Sequence, residues 1–359
     1  MNYILYLTQK CNISCKYCYV NKDTSTMSFD VIRRVVDIAA ENRDMSDILF
    51  FGGEPLLEKD LLFQTVEYCK HVEKNSDCRF SFSLNTNGML LDDEFLLFSV
   101  KNRIMTSISI DGIREAHDRN RIDLAGKGTF SRVSEKADSL LEAQPYAISL
   151  TLINPETVEF MSQSIEYLIT KGFRYLLCSI NYRANWDKES LRQLEKQYRL
   201  VSKIYHKRLE KGINIYFSPF DTAISTYINK RDLCKERCEL GMRQVAINPQ
   251  GKIFPCIQFA GDEEFQIGDV YNGVNRDKHQ QMLEKSSKEN EACLECALNQ
   301  RCNNSCSCIN KLSTGRIDKI SPILCSHQRV LIPIADKLAE KLYKKKVPIF
   351  LQKFYDAKT

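Results

Sequence analysis

Three cysteines lie in a tight loop, Cys11-x3-Cys15-x2-Cys18, and seven more fall into one spaced pattern in the last third of the chain. The downstream set runs Cys238, twelve residues, Gly251, four residues, Cys256, then Cys293-x2-Cys296-x5-Cys302-x3-Cys306 and, after a gap, Cys325. Short loops let thiolates converge on neighbouring irons while an iron–sulfur cluster shields the buried charge. Paired C-x2-C thiolates also bind structural zinc. The chemistry on offer is redox-active iron, with zinc as the alternative.

A secreted disulfide scaffold could also carry 15 cysteines, but such scaffolds are small, whereas this chain has 359 residues and 43% hydrophobic content. The odd cysteine count argues further against complete disulfide pairing. The opening MNYILYLTQK lacks the features of a secretion signal, and no apolar run approaches the roughly eighteen residues of a membrane span. A reducing cytoplasm with little oxygen is the expected setting. Net charge is +5, and Lys344, Lys345 and Lys346 read as the solvated face of a terminal helix. Neither nucleic acid nor a membrane surface is expected as a partner.

Something must hold these thiols in place. Residues 1–217 alternate short apolar runs with helical periodicity, the signature of βα units around a parallel sheet. Strands are predicted at 3–8, 47–53, 80–88, 106–112, 146–154, 173–180 and 213–219, and helices near 28–43, 58–74, 92–100, 128–143, 155–171 and 187–211. Residues 218–230 bridge to a cysteine-rich domain over 231–328, which ligation must hold together because large apolar residues are few. A helix after Pro333 and a tail complete 329–359.

In a parallel βα barrel the loops leaving the C-terminal strand ends build the site. The Cys11 loop, Gly52-Gly53-Glu54-Pro55, Asn85-Thr86-Asn87-Gly88 and Ser109-Ile110-Asp111-Gly112 follow the first four predicted strands, so one rim holds all four. Cys178 ends a later strand, where a thiol can give hydrogen to a substrate radical. Cys69 reads as a buried hydrophobe, Cys78 as a loop residue, and His117 and Asp118 as parts of a surface network.

On these motifs the chain resembles radical S-adenosylmethionine (SAM) enzymes that carry a SPASM domain, the likeness covering 8–132 and 234–325. The resemblance implies a partial (β/α)6 TIM-type barrel, a small SPASM domain and a C-terminal helix. It implies that Cys11, Cys15 and Cys18 hold three irons of a four-iron cluster whose fourth iron binds SAM. By position, Tyr17 would lie against the adenine; Gly52, Gly53 and Glu54 would recognise the methionine amine; Asn85 belongs to the same cofactor rim; and Ser109 would contact the ribose or carboxylate. Arg132, with Arg121 as the competing choice, would pair with the SAM carboxylate.

The downstream spacing is similar to the seven-cysteine SPASM pattern at every fixed interval, and relatives with two auxiliary clusters use an eighth cysteine, for which Cys234 is placed. The resemblance implies Cys234, Cys238, Cys256 and Cys306 on one auxiliary four-iron cluster, and Cys293, Cys296, Cys302 and Cys325 on the other. Cys308, two residues beyond Cys306, is the alternative to it as ligand.

SPASM relatives mostly modify peptides or proteins. Sulfatase maturases carry an acid immediately after the cysteine corresponding to Cys256, where this chain has Ile257. The resemblance therefore points to a maturase that cross-links a ribosomally made peptide by a thioether or carbon–carbon bond. Formylglycine formation, epimerisation and a non-enzymatic iron–sulfur carrier are the alternatives. With the first ligand at residue 11, no leader-recognition domain is expected ahead of it, so a separate recognition protein is a possible partner. A flavodoxin- or ferredoxin-type protein would supply electrons.

Overall fold

The computed structural model describes residues 1–41, 45–229, 239–287, 290–302, 304 and 306–355. Cys234 and Cys238 lie outside the described residues. Two compact units divide the chain: Met1–Ser109 with Asn120–Ala147 and Cys238–Ser286, and Ile110–Arg119 with Ile148–Arg237 and Ser287–Thr359.

In the first unit, β1 (Asn2–Thr8), β2 (Met45–Gly52), β3 (Arg79–Thr86) and β4 (Ile104–Ser109) pair in parallel in that order. Six of the seven residues of β1 are buried, the near-continuous apolar run expected of a strand covered on both faces. β3 alternates instead. Phe82, Leu84 and Thr86 are buried, while Ser83 and Asn85 on the other face are half-buried. Helices Phe29–Glu41, Lys59–Glu73 and Asp93–Lys101 supply the crossovers, the last started by Asp92, whose carboxylate accepts from Phe95 N at 2.8 Å.

The second unit continues with β5 (Ile148–Ile153), β6 (Tyr175–Ile180) and the two-residue β7 (Tyr216–Phe217), again parallel. Helices Met161–Lys171, Lys188–Glu210 and Ser218–Asn229 accompany them. The strand expected over 213–219 is cut short because Ser218 already opens a helix.

The cysteine-rich segment is divided rather than gathered into one unit. Its first part returns to the first unit: β8 (Gln244–Ile247) pairs in parallel with β1, and β9 (Lys252–Phe254), β10 (Gly268–Asp269) and β11 (Gly273–Val274) follow antiparallel. Its second part belongs with Ser287–Thr359. There the terminal helix begins at Pro322, capped by Ser321, and runs through Pro333 to Lys344. One lost backbone bond at Pro333 is offset by burial of Leu324, Leu331, Ile332, Ile334 and Leu338 along its face.

The expected tail is also ordered in part. Helix Pro348–Phe354 sends Lys353 to Asp221 and to the Ile215 carbonyl at 2.7 Å. Arg301 makes a forked ion pair with Asp336 at 2.5 and 2.8 Å. Among the described residues no helix is long and apolar enough to cross a membrane.

Candidate functional site

The cysteine loop leaves β1 at Thr8 and is pressed from one side by the end of β2. Gly53 N donates to Thr8 O and Glu54 N to Lys10 O, both at 2.9 Å. A Cβ on Gly52 would stand 2.2 Å from Thr8 O, and one on Gly53 2.1 Å from Lys10 O, so only glycines allow this approach. From the other side, Ser14 N and Lys16 N donate to the carbonyls of Ile122 and Asn120 at 2.7 and 3.0 Å. Within the loop Cys18 N closes a turn on Cys15 O at 3.2 Å.

Glu54 was expected to meet a ligand amine, but its carboxylate is fully buried and engaged within the protein. One oxygen accepts from Thr86 Oγ1 at 2.8 Å and Leu56 N at 3.1 Å, the other from Asn87 N at 2.7 Å. Burial pushes its pKa up to about 7 against these bonds. Glu54 therefore ties the GGEP turn to the Asn85–Gly88 loop. The Asn87 side chain donates to Asn12 Oδ1 at 2.8 Å and reaches Cys11 Sγ at 3.7 Å.

Arg121 and Arg132 are distinguished by their surroundings. The Arg121 guanidinium is buried, lies 4.0 Å from Cys15 Sγ and sits 5.3 Å from the centre of the Tyr17 ring. Arg132 is half-exposed and bonds Asp123 at 2.6 Å. Asn85 is in register with Ser107, and Ser109 lies two residues nearer the C-terminal end of β4; both expected contact residues are half-buried.

Cys11 tests whether the loop suits a cluster. Burial raises its pKa; the Ile13 N–H and Lys22 oppose this, and Glu54 and Cys18 add to it. Cys11 and Cys18 are thus close enough to sense each other's charge, and cationic irons would draw off the protons that burial retains. Among the described residues no three His, Cys, Asp or Glu side chains meet at single-ion spacing. Thiolates that each bind their own iron have no need to do so. The donor set fits a cluster.

Cys256 is buried in the first unit. The Ile257 side chain packs against Ile4, Tyr6, Ala246 and Phe254, and its carbonyl accepts from Tyr6 Oη at 2.7 Å. In the second unit Cys293 bonds the Asn304 side chain and senses Cys296 and Cys325; Cys302 is buried; and Cys306 Sγ stands 3.3 Å from Cys308 Sγ.

Cys178 shares the buried face of β6 with Leu176 and Ile180. Its thiol, pushed up strongly by burial, lines a cavity of about 180 Å³ with Tyr182, His327 and Leu331. Both ring nitrogens of His327 are held, by Tyr182 and Tyr198 at 2.7 Å each. The expected rim thiol therefore points among helices, because period-two alternation sends Ser179, not Cys178, to the exposed face. His117 is fully buried, accepting from Asp111 N at 3.3 Å, rather than part of a surface network.

Residues 5–168 match the model of the Radical SAM superfamily. The chain carries a radical SAM domain. Beyond it, the chain is 22% identical over 321 residues to the cysteine-type anaerobic sulfatase-maturating enzyme of Clostridium perfringens, covering 82% of this chain and 85% of that one. It is 21% identical to the radical SAM cyclopropyl synthase TigE of Paramaledivibacter caminithermalis, covering 91% and 72%. The solved structure of native anSMEcpe with bound AdoMet superposes with a TM-score of 0.82 at 20% identity, covering 96% of this chain and 100% of that one. The fold is therefore that of a partial α/β barrel.

Within the radical SAM domain, sequence reasoning placed Asn87 on the rim but gave it no role of its own, whereas it links Glu54, Asn12 and Cys11. The signal was present, since an acid between glycine and proline at a strand end needs buried donors, and the next loop offers Thr86 and Asn87.

Proposed function

We propose that this chain is a radical SAM maturase acting on a peptide or protein, with one SAM-binding and two auxiliary four-iron clusters. The observation that carries the reading is the clamped Cys11–Cys18 loop: Gly52 and Gly53 fix its backbone, Asn87 lies against Cys11, and Arg121 against Cys15 and Tyr17. A four-iron cluster there would be held by Cys11, Cys15 and Cys18 and would supply the electron for reductive cleavage of SAM, the source of the hydrogen-abstracting 5′-deoxyadenosyl radical. The protein's part is positional. Gly52 and Gly53 would meet the methionine amine, Arg121 the carboxylate and Tyr17 the adenine, while the buried bonds of Glu54 brace the rim.

The substrate is a ribosomally made peptide, and the product a thioether or carbon–carbon cross-link. Ile257 supports this over formylglycine formation: its side chain packs in an apolar cluster, with no carboxylate to serve as base. The similarity to sulfatase-maturating enzymes favours the second reading, formylglycine on a protein Cys or Ser. Electrons would come from a flavodoxin- or ferredoxin-type donor in the cytoplasm, and a separate recognition protein would deliver the peptide.

The test is mass spectrometry of candidate substrates after anaerobic reaction of the reconstituted protein with SAM and reductant. A loss of 2 Da within a peptide, with 5′-deoxyadenosine released, is expected for cross-linking. Formylglycine would replace the cross-linking reading with the second one, and absence of 5′-deoxyadenosine with a verified substrate would remove both.

A further inference from the structure

Cys308 lies outside the spaced pattern, yet its sulfur stands 3.3 Å from that of Cys306. Structural cysteines elsewhere in the chain look different: Cys69 and Cys78 are fully buried, whereas Cys306 and Cys308 are each partly exposed and face one another. Their separation exceeds the roughly 2.05 Å of a disulfide and lies within the reach of an S–H···S hydrogen bond. Cys306 is the N-cap of helix Ser307–Thr314 and Cys308 lies in its first turn, so a single short backbone element holds both sulfurs toward the same point.

An iron of a four-iron cluster takes one thiolate, so two sulfurs at one position divide the work. We propose that Cys308 shares the iron position of Cys306, donating its S–H to the Cys306 thiolate in the intact protein and ligating the iron when Cys306 is absent. A donor hydrogen bond on a ligating sulfur stabilises the reduced cluster and so raises its reduction potential. This inference rests on the cluster reading given above for the downstream cysteines.

The experiment compares anaerobically reconstituted full-length wild type, Cys306→Ala, Cys308→Ala and the double variant by iron and sulfide content, and by potentiometric titration followed by electron paramagnetic resonance. Both single variants are expected to keep the wild-type iron content, and the double variant to lose about four irons. Cys308→Ala should move one auxiliary signal to a lower midpoint potential. Equal iron loss in Cys306→Ala and the double variant would overturn the sharing, as would an unshifted midpoint in Cys308→Ala. A wild type that saturates at about four irons would overturn the auxiliary-cluster reading itself.

Discussion

Glu54 Oε2 accepts the backbone N–H of Asn87 at 2.7 Å, and through this bond the turn after β2 and the loop after β3 become one rigid rim. The carboxylate is buried with its pKa raised from 4.5 to about 7. Between those values the folded chain holds more protons at this site than the unfolded chain. Its contribution to stability is thus full below the unfolded value and falls as pH rises to about 7, by at most about 1.4 kcal/mol per pH unit. Thermal midpoints of the holoprotein across this window should decline in wild type and show a flatter profile in Glu54→Gln. Identical pH profiles would count against the assignment.

Gly53→Ala should be severe. Its Cβ would lie 2.1 Å from Lys10 O, one residue before Cys11, and backbone cannot yield as a side-chain tip can. The expected cost is about 3 kcal/mol or more, with loss of about four irons from the reconstituted protein. Iron analysis and a thermal melt check both outcomes.

The two arginines should separate in SAM binding. Arg121→Ala removes the cation beside Cys15 and Tyr17 and should weaken SAM affinity about tenfold or more, whereas Arg132→Ala breaks only the bond to Asp123 and should change it by less than about twofold. Equilibrium dialysis with the loaded protein reads the difference; the reverse order would exchange their roles.

Lys353→Met should destabilise the chain by about 1–3 kcal/mol, because Asp221 is almost wholly buried, desolvation already pushes its carboxyl up, and without the ammonium only Tyr205 Oη and Phe217 N would be left donating to it among the described residues. Adding Asp221→Asn should restore part of the loss. Chemical denaturation of the two variants tests the pairing, and equal midpoints would contradict it.

Most βα units were legible because long helices and apolar strands impose distinct periods, and the cysteine loop because its spacing is chemical. What escaped were properties set by tertiary partners. Strand alternation alone did not tell which face of β6 the Cys178 side takes, since that depends on the His327 helix, which arrives from far along the chain. The bracing bonds of Glu54 were hidden for the same reason: two of its three donors, Thr86 Oγ1 and Asn87 N, come from the end of β3 and the loop after it, and only Leu56 N is local. Residues 244–274 did not announce that they extend the sheet beside β1, because their strands are only two to four residues long and too short to show a period.

The bond between Asp221 and Lys353 encloses every described cysteine from Cys293 to Cys325 in a ring of chain fastened without metal. Iron entering those loops would find its ends already tethered, paying only the local ordering of a few residues rather than the closure of a long loop. Stripping iron from the second unit should accordingly slacken the contents of the ring and leave its buckle shut, making cluster assembly and chain folding separable events in this half of the protein.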